Sequence, residues 1–170
     1  MTATGRMARK AEVSVETFLV WGAEGWIAGK LAELLKKGVR DVHTTKVRME
    51  EREEVRQELD RVKPTHVLIA AGCTGRPNVD WCEDHREETV RSNVIGTLNV
   101  VDVCAMRNIH CTVFATGCIY QYDKEHPWHG PGFVETDPPN FFGSFYSMTK
   151  AHLEQVRAAS PSITWFSLLQ

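Results

Sequence analysis

"TFLVWGAEGWIAGKLAELLKKG", residues 17–38, decides the fold. It opens as a β-branched and aromatic run that Gly22 stops, and it continues with Ile27, Leu31, Leu34 and Leu35 at helical spacing. Gly38 follows the last turn as a C-terminal cap, so the stretch reads as strand, tight turn and helix. Gly22 and Gly25 let the backbone turn sharply, and Ala28 is the third small residue, allowing the helix to pack close to the strand. Free N–H groups at the start of such a helix favour an anion, and a turn that lacks side chains lets a pyrophosphate come close. The glycine spacing alone is weak; its place directly after a strand and at the opening of a helix is what a dinucleotide site requires.

The chain downstream repeats the unit. "VRDVHTT" (39–45) is a second strand, and "EEREEVRQELDRVKP" (50–64) is a charged helix with Val55, Leu59 and Val62 on its apolar stripe, ended by Pro64. "THVLIAAG" (65–72) is a third strand, too apolar for a solvated face, so helices should cover both its sides. From Trp81 to about Asn108 the spacing predicts helix, carried by Val90, Val94, Leu98, Val101 and Ala105. "HCTVFATG" (110–117) is the fourth strand, 121–143 a long loop that points to function, 145–160 a helix and "SITWFSLL" (162–169) a last strand. Strands alternating with helices give an α/β, doubly wound parallel sheet, expected in the order 3-2-1-4-5. Ligands then sit beyond the carboxyl ends of the strands, on the edge that carries Gly22, Gly72 and Thr116.

The 170 residues suffice for one domain with a real core. A formal charge of -2 gives no electrostatic reason to expect nucleic acid or an anionic membrane, and no apolar run approaches the roughly 20 residues that span a bilayer. Residues 1–16 read as a flexible tail without the apolar core of a secretory signal. Five cysteines, an odd number without scaffold-like spacing, argue for reduced thiols and a cytoplasmic setting. Cys82 with His85, and His126 with His129, stand at ligand-like intervals but lack matching second pairs, so no metal is expected.

"HTTKVR" (43–48) ends the second strand with Thr44, Thr45, Lys46 and Arg48 and no acid, which suits a 2′-phosphate and hence NADP(H) better than the ribose hydroxyl of NAD. "YSMTK" puts Tyr146 and Lys150 on one helix face, where the ammonium would favour the phenolate and let the phenol donate a proton at neutral pH. Thr116 and Cys118 follow the fourth strand; a small buried hydrophobe is the ordinary fate of a free cysteine, and Cys73, Cys82, Cys104 and Cys111 keep that reading.

The stretches "WGAEGWIAGKL", "AAGCTGRPNVDWCE", "SNVIGTLNVVDVC", "ATGCIYQYD" and "PPNFFGSFYSMTKA" together resemble the extended short-chain dehydrogenase/reductases, and within them the nucleotide-rhamnose synthases, which are 3,5-epimerases and 4-reductases. The resemblance covers most of 17–155 and implies a Rossmann-type NADP(H)-binding domain acting on UDP-4-keto-6-deoxyglucose. It implies that Thr116 hydrogen-bonds the 4-keto oxygen, Tyr146 protonates it, and Lys150 binds the nicotinamide ribose. Cys118 would be the acid/base for epimerisation at C3 and C5, a role a thiol with a reference pKa near 8.5 can fill. Gly22, Gly25, Trp26, Ile27, Arg48, Ala70, Ala71, Gly72 and Asn93 would surround the cofactor, with Tyr146 and Lys150, and Thr74, Arg76, Asn78 and Asn140 would meet the substrate.

The pattern departs at Ala28, at Ile69 and above all at Gln170, after which the family continues with further strands and a substrate domain. Residues 17–170 therefore read as a C-terminally truncated domain with weak activity or none, its last strand an apolar edge open to homodimerisation. Two other readings stay open: a non-catalytic NADP-binding or regulatory subunit, and a reductase of another 4-keto-6-deoxy sugar nucleotide.

Overall fold

The structure is a computed structural model that describes residues 15–38, 40–134, 136–156 and 163–166. The expected tail, 1–16, lies outside these residues except for Val15 and Glu16.

Five parallel strands form one sheet: β1 (Thr17–Trp21), β2 (Asp41–Thr45), β3 (His66–Ile69), β4 (His110–Phe114) and β5 (Ile163–Phe166). The helices are α1 (Trp26–Lys37), α2 (Arg52–Val62), α3 (Trp81–Asp84), α4 (Arg86–Val90), α5 (Thr97–Met106) and α6 (Phe145–Val156). A π-helical turn at Arg91–Gly96 joins α4 to α5, and a 3-10 turn at Gly117–Ile119 follows β4. The doubly wound α/β class stands as read from the sequence.

The strand order does not: it is β2-β1-β3-β4-β5, with β3 beside β1 rather than outside β2. Side-chain polarity explains the difference. In the order 3-2-1-4-5 the third strand would be an edge, yet Val67, Leu68 and Ile69 are all buried and need neighbours on both sides. β2, "DVHTT", is polar and partly exposed, which is what an edge strand tolerates.

Alternation along β1 sends Phe18 and Val20 to one face and Leu19 and Trp21 to the other. On the first face Val20 packs with Ala28 of α1 and Leu68 of β3. On the second, Leu19, Val67, Ile69 and Val113 meet Val55 and Leu59 of α2, Val100, Val103 and Cys104 of α5, and Leu153 of α6. α2 is very polar elsewhere and begins with Glu53 and Glu54 at the positive end of its dipole; it stops at Lys63, left-handed at φ +51°, before Pro64.

The helix expected from Trp81 to about Asn108 is present in pieces. His85, at φ -123° and ψ 51°, breaks it; its ring stacks on Trp81 with centroids 3.7 Å apart. The apolar rhythm that predicted helix begins only at Val90, so nothing in the sequence spoke for continuity before it.

Candidate active site

Gly22 turns the chain out of β1 at φ +88°, and a Cβ there would lie 2.7 Å from Ala71 N. Conformation and contact thus both demand glycine. Gly25 N–H closes the turn on Gly22 C=O at 2.8 Å, and α1 starts with no acidic side chain in its first turn. Its free N–H groups are therefore available to an anion.

The facing wall is built by the loop after β2. Trp21 donates its indole N–H to Val47 C=O at 3.0 Å, and Asn99 of α5 donates to Met49 C=O and Glu50 C=O, both at 3.2 Å. Between the walls lies a groove of about 400 Å³, lined among others by Gly22, Gly25, Arg48, Ala70, Ala71 and Gly72. The bare glycine cradle, the open start of α1 and this groove fit the pyrophosphate of a dinucleotide. Trp26 and Ile27 do not line it; Trp26, on the first turn of α1, is 79% exposed.

At the far end the groove reaches buried polar groups. A Cβ on Gly72 would stand 3.4 Å from Lys150 Nζ and 3.6 Å from Asn93 Oδ1. Asn93 is fully buried in the π-helical turn; its Oδ1 accepts from Cys73 N–H and its Nδ2 donates to Cys73 C=O, each at 2.8 Å. The amide thus imitates a neighbouring strand and fixes the chain just past β3. The wider turn supplies the side-chain placement, a common use of π-bulges.

Thr116, extended at the end of β4, accepts the Cys118 N–H on its hydroxyl at 3.2 Å and hydrogen-bonds the side chain of Tyr146. Ser147 donates its hydroxyl to Cys118 C=O at 2.7 Å, tying α6 to the 3-10 turn. Ser144 caps this end of α6 by accepting the Ser147 N–H at 3.1 Å, and Glu83 of α3 accepts the Phe145 N–H at 2.6 Å. Thr116 and Cys118 of one segment and Tyr146 of another are brought to one strand end. Ser147 and Glu83 were missed; "SFYS", two serines three apart at a helix start, was the available signal for Ser147.

The Tyr146–Lys150 pair differs from expectation. Burial pushes the Tyr146 phenol above its ordinary value; the Thr116 hydrogen bond opposes this, and the thiols of Cys118, Cys82 and Cys73 add to the rise. Lys150 is buried, and desolvation lowers it to about 8 against the smaller pull of Cys73 and Cys82. Its ammonium stands 5.9 Å from the Tyr146 ring centroid, over the ring. The Tyr-x-x-x-Lys spacing places the two side by side, but both have left water, and the loss of solvation is the largest cause of both shifts.

Thr74, Arg76 and Asn78 are exposed on the loop from β3 to α3. Asn78 accepts the Asp80 N–H at 3.0 Å. Asn140 is used locally: its Oδ1 accepts from Gln121 N–H at 2.9 Å, and its Nδ2 donates to Gln121 C=O and Asp123. In the same loop His126 sits between Asp123 and Asp137, at 3.2 and 3.4 Å, and stacks on Phe133. A second hollow of about 530 Å³, lined by Tyr120, Tyr122, Trp128 and Phe133, adjoins Gly117. Among the described residues no three His, Cys, Asp or Glu side chains gather as a metal site, and no helix is long and apolar enough to cross a membrane.

Residues 18–161 match the model of the NAD dependent epimerase/dehydratase family. The chain is 51% identical over 140 residues to an Arabidopsis thaliana trifunctional UDP-glucose 4,6-dehydratase/UDP-4-keto-6-deoxy-D-glucose 3,5-epimerase/UDP-4-keto-L-rhamnose-reductase, covering 82% of this chain and 21% of that one. It is 48% identical over 141 residues to the Arabidopsis bifunctional dTDP-4-dehydrorhamnose 3,5-epimerase/dTDP-4-dehydrorhamnose reductase, covering 82% and 46%. Among solved structures, a UDP-rhamnose synthase of Acanthamoeba polyphaga mimivirus superposes with a TM-score of 0.80 at 28% identity, covering 89% of this chain and 55% of that one. A dTDP-4-dehydrorhamnose reductase of Bacillus anthracis in complex with NADP shares the fold, with a TM-score of 0.74 at 19% identity and coverage of 92% and 54%. The chain thus spans between a fifth and about half of the length of these relatives.

Proposed function

Because the chain belongs to the NAD dependent epimerase/dehydratase family, we propose that it carries the NADPH side and the acid/base groups of a nucleotide-rhamnose synthase, acting on UDP-4-keto-6-deoxyglucose. The observation that carries this is the convergence of Thr116, Cys118 and Tyr146 on the end of β4, with Lys150 and Asn93 at the end of the dinucleotide groove. The glycine turn, Ala70, Ala71 and Gly72 would hold a dinucleotide in the groove, and once bound it would supply hydride for reduction of the 4-ketone. The chain's own residues handle protons. Thr116 and Tyr146 present hydroxyls to the 4-keto oxygen, and the phenol, kept protonated by its burial, donates as the alkoxide forms. The same two groups stabilise the enolate formed when a hydrogen next to the ketone leaves, and the Cys118 thiol, held by its own N–H and C=O, exchanges protons at C3 and C5. Lys150, beside Gly72, would steady the ribose end of the nicotinamide.

UDP is preferred over dTDP because the UDP-named relatives include the 51% identical Arabidopsis enzyme and the mimiviral synthase. The test replaces the matching segment of the Arabidopsis bifunctional enzyme by residues 17–155 of this chain and follows NADPH oxidation together with deuterium uptake at C3 and C5. Cys118→Ala should lower the uptake by about 10²-fold or more while dinucleotide binding persists. Uptake unchanged in Cys118→Ala would remove the thiol from the reaction.

A further inference from the structure

The stretch that ends the second strand, 43–48, contains no acid, but each of its cations has a carboxylate: Arg48 takes Glu50, two residues on, and folding brings Glu24 to Lys46. Lys46 Nζ lies 2.5 Å from Glu24 Oε1, a residue of the glycine turn, and Arg48 Nε donates to Glu50 Oε1 at 3.0 Å. All four side chains line the dinucleotide groove. The pairs differ in freedom: the Glu50 side chain is only 10% exposed, whereas Lys46 and Glu24 are 84% and 79% exposed. Arg48 is therefore pinned to a fixed partner, and Lys46 is held by a partner that can swing away.

We infer that Glu24 is a specificity-determining residue that competes with the adenosine 2′-phosphate of the cofactor for Lys46, and so sets how strongly the chain prefers NADP(H) over NAD(H). The inference rests on the dinucleotide reading of the groove. NAD(H) and NADP(H) carry the same pyrophosphate, so any repulsion between Glu24 and that group weakens both alike. Only the 2′-phosphate needs the ammonium that Glu24 occupies. An exposed ion pair is worth little, so the discrimination hidden by Glu24 amounts to about two- to fivefold in the ratio of dissociation constants.

The test measures equilibrium binding of NADP+ and NAD+ to the 170-residue chain by calorimetry, for wild type, Glu24→Gln, Lys46→Gln and the double variant. Both positions are exposed, so all four proteins should fold, which a common thermal midpoint verifies. Glu24→Gln should raise the preference for NADP+ about two- to fivefold, and the gain should shrink when the salt is raised and vanish when Lys46 is already Gln. An unchanged NADP+/NAD+ ratio in Glu24→Gln, or an equal gain with Lys46 replaced, would overturn the competition and leave the dinucleotide reading intact. Failure of the wild type to bind either dinucleotide would overturn that reading, and the competition with it.

Discussion

Replacing Lys150 by Met should stabilise the fold at neutral pH and remove part of its pH dependence. The side chain is buried, and its folded-state value is about 8 against 10.5 for an exposed lysine. At about 1.4 kcal/mol per pH unit, that depression corresponds to about 3 kcal/mol. The sign follows from proton counts. Below pH 8 both folded and unfolded chains carry the ammonium, and the folded chain bears the full cost of burying it. Between about 8 and 10.5 the unfolded chain binds more protons than the folded one, so the wild type gains stability as the pH rises. Above 10.5 both states are neutral and the gain is complete. Met keeps the length of the stem and has no charge to bury. Urea unfolding at intervals from pH 7 to 10.5 should therefore show the variant more stable by about 3 kcal/mol at pH 7, with the difference closing over that window. Parallel stability curves across the window would refute a buried, depressed ammonium.

Asn93→Leu keeps the branching of the buried side chain but leaves the Cys73 N–H and C=O without their 2.8 Å partners; chemical denaturation should show a loss of about 2–4 kcal/mol. Gly22→Ala forces a Cβ to φ +88° within 2.7 Å of the Ala71 backbone, which should cost about 2 kcal/mol or more in thermal unfolding and abolish dinucleotide binding in the calorimeter.

Periodicity and turn chemistry in the sequence by themselves determined the units of this protein. The run at 17–38 could only be strand, glycine turn and helix, because its apolar spacing changes period at Gly22; the stripe at Val55 and Leu59 likewise could only be a helix face, and both proved buried. Thr116, Tyr146 and Lys150 were legible because a strand end and a helix face fix where such side chains must stand. What joins these units was decided by tertiary packing. Whether β3 lies outside β2 or beside β1 is settled by which strands can endure an edge, and the choice fell to the polar β2. Charge pairing depends on folding in the same way: Glu24 and Lys46 are 22 residues apart, and no local pattern links the glycine turn to the end of the second strand. The titration of Tyr146 was misjudged from spacing for a related reason. Spacing gives proximity, but the strength of a charge depends on the water around it, and only the packed structure removes that water.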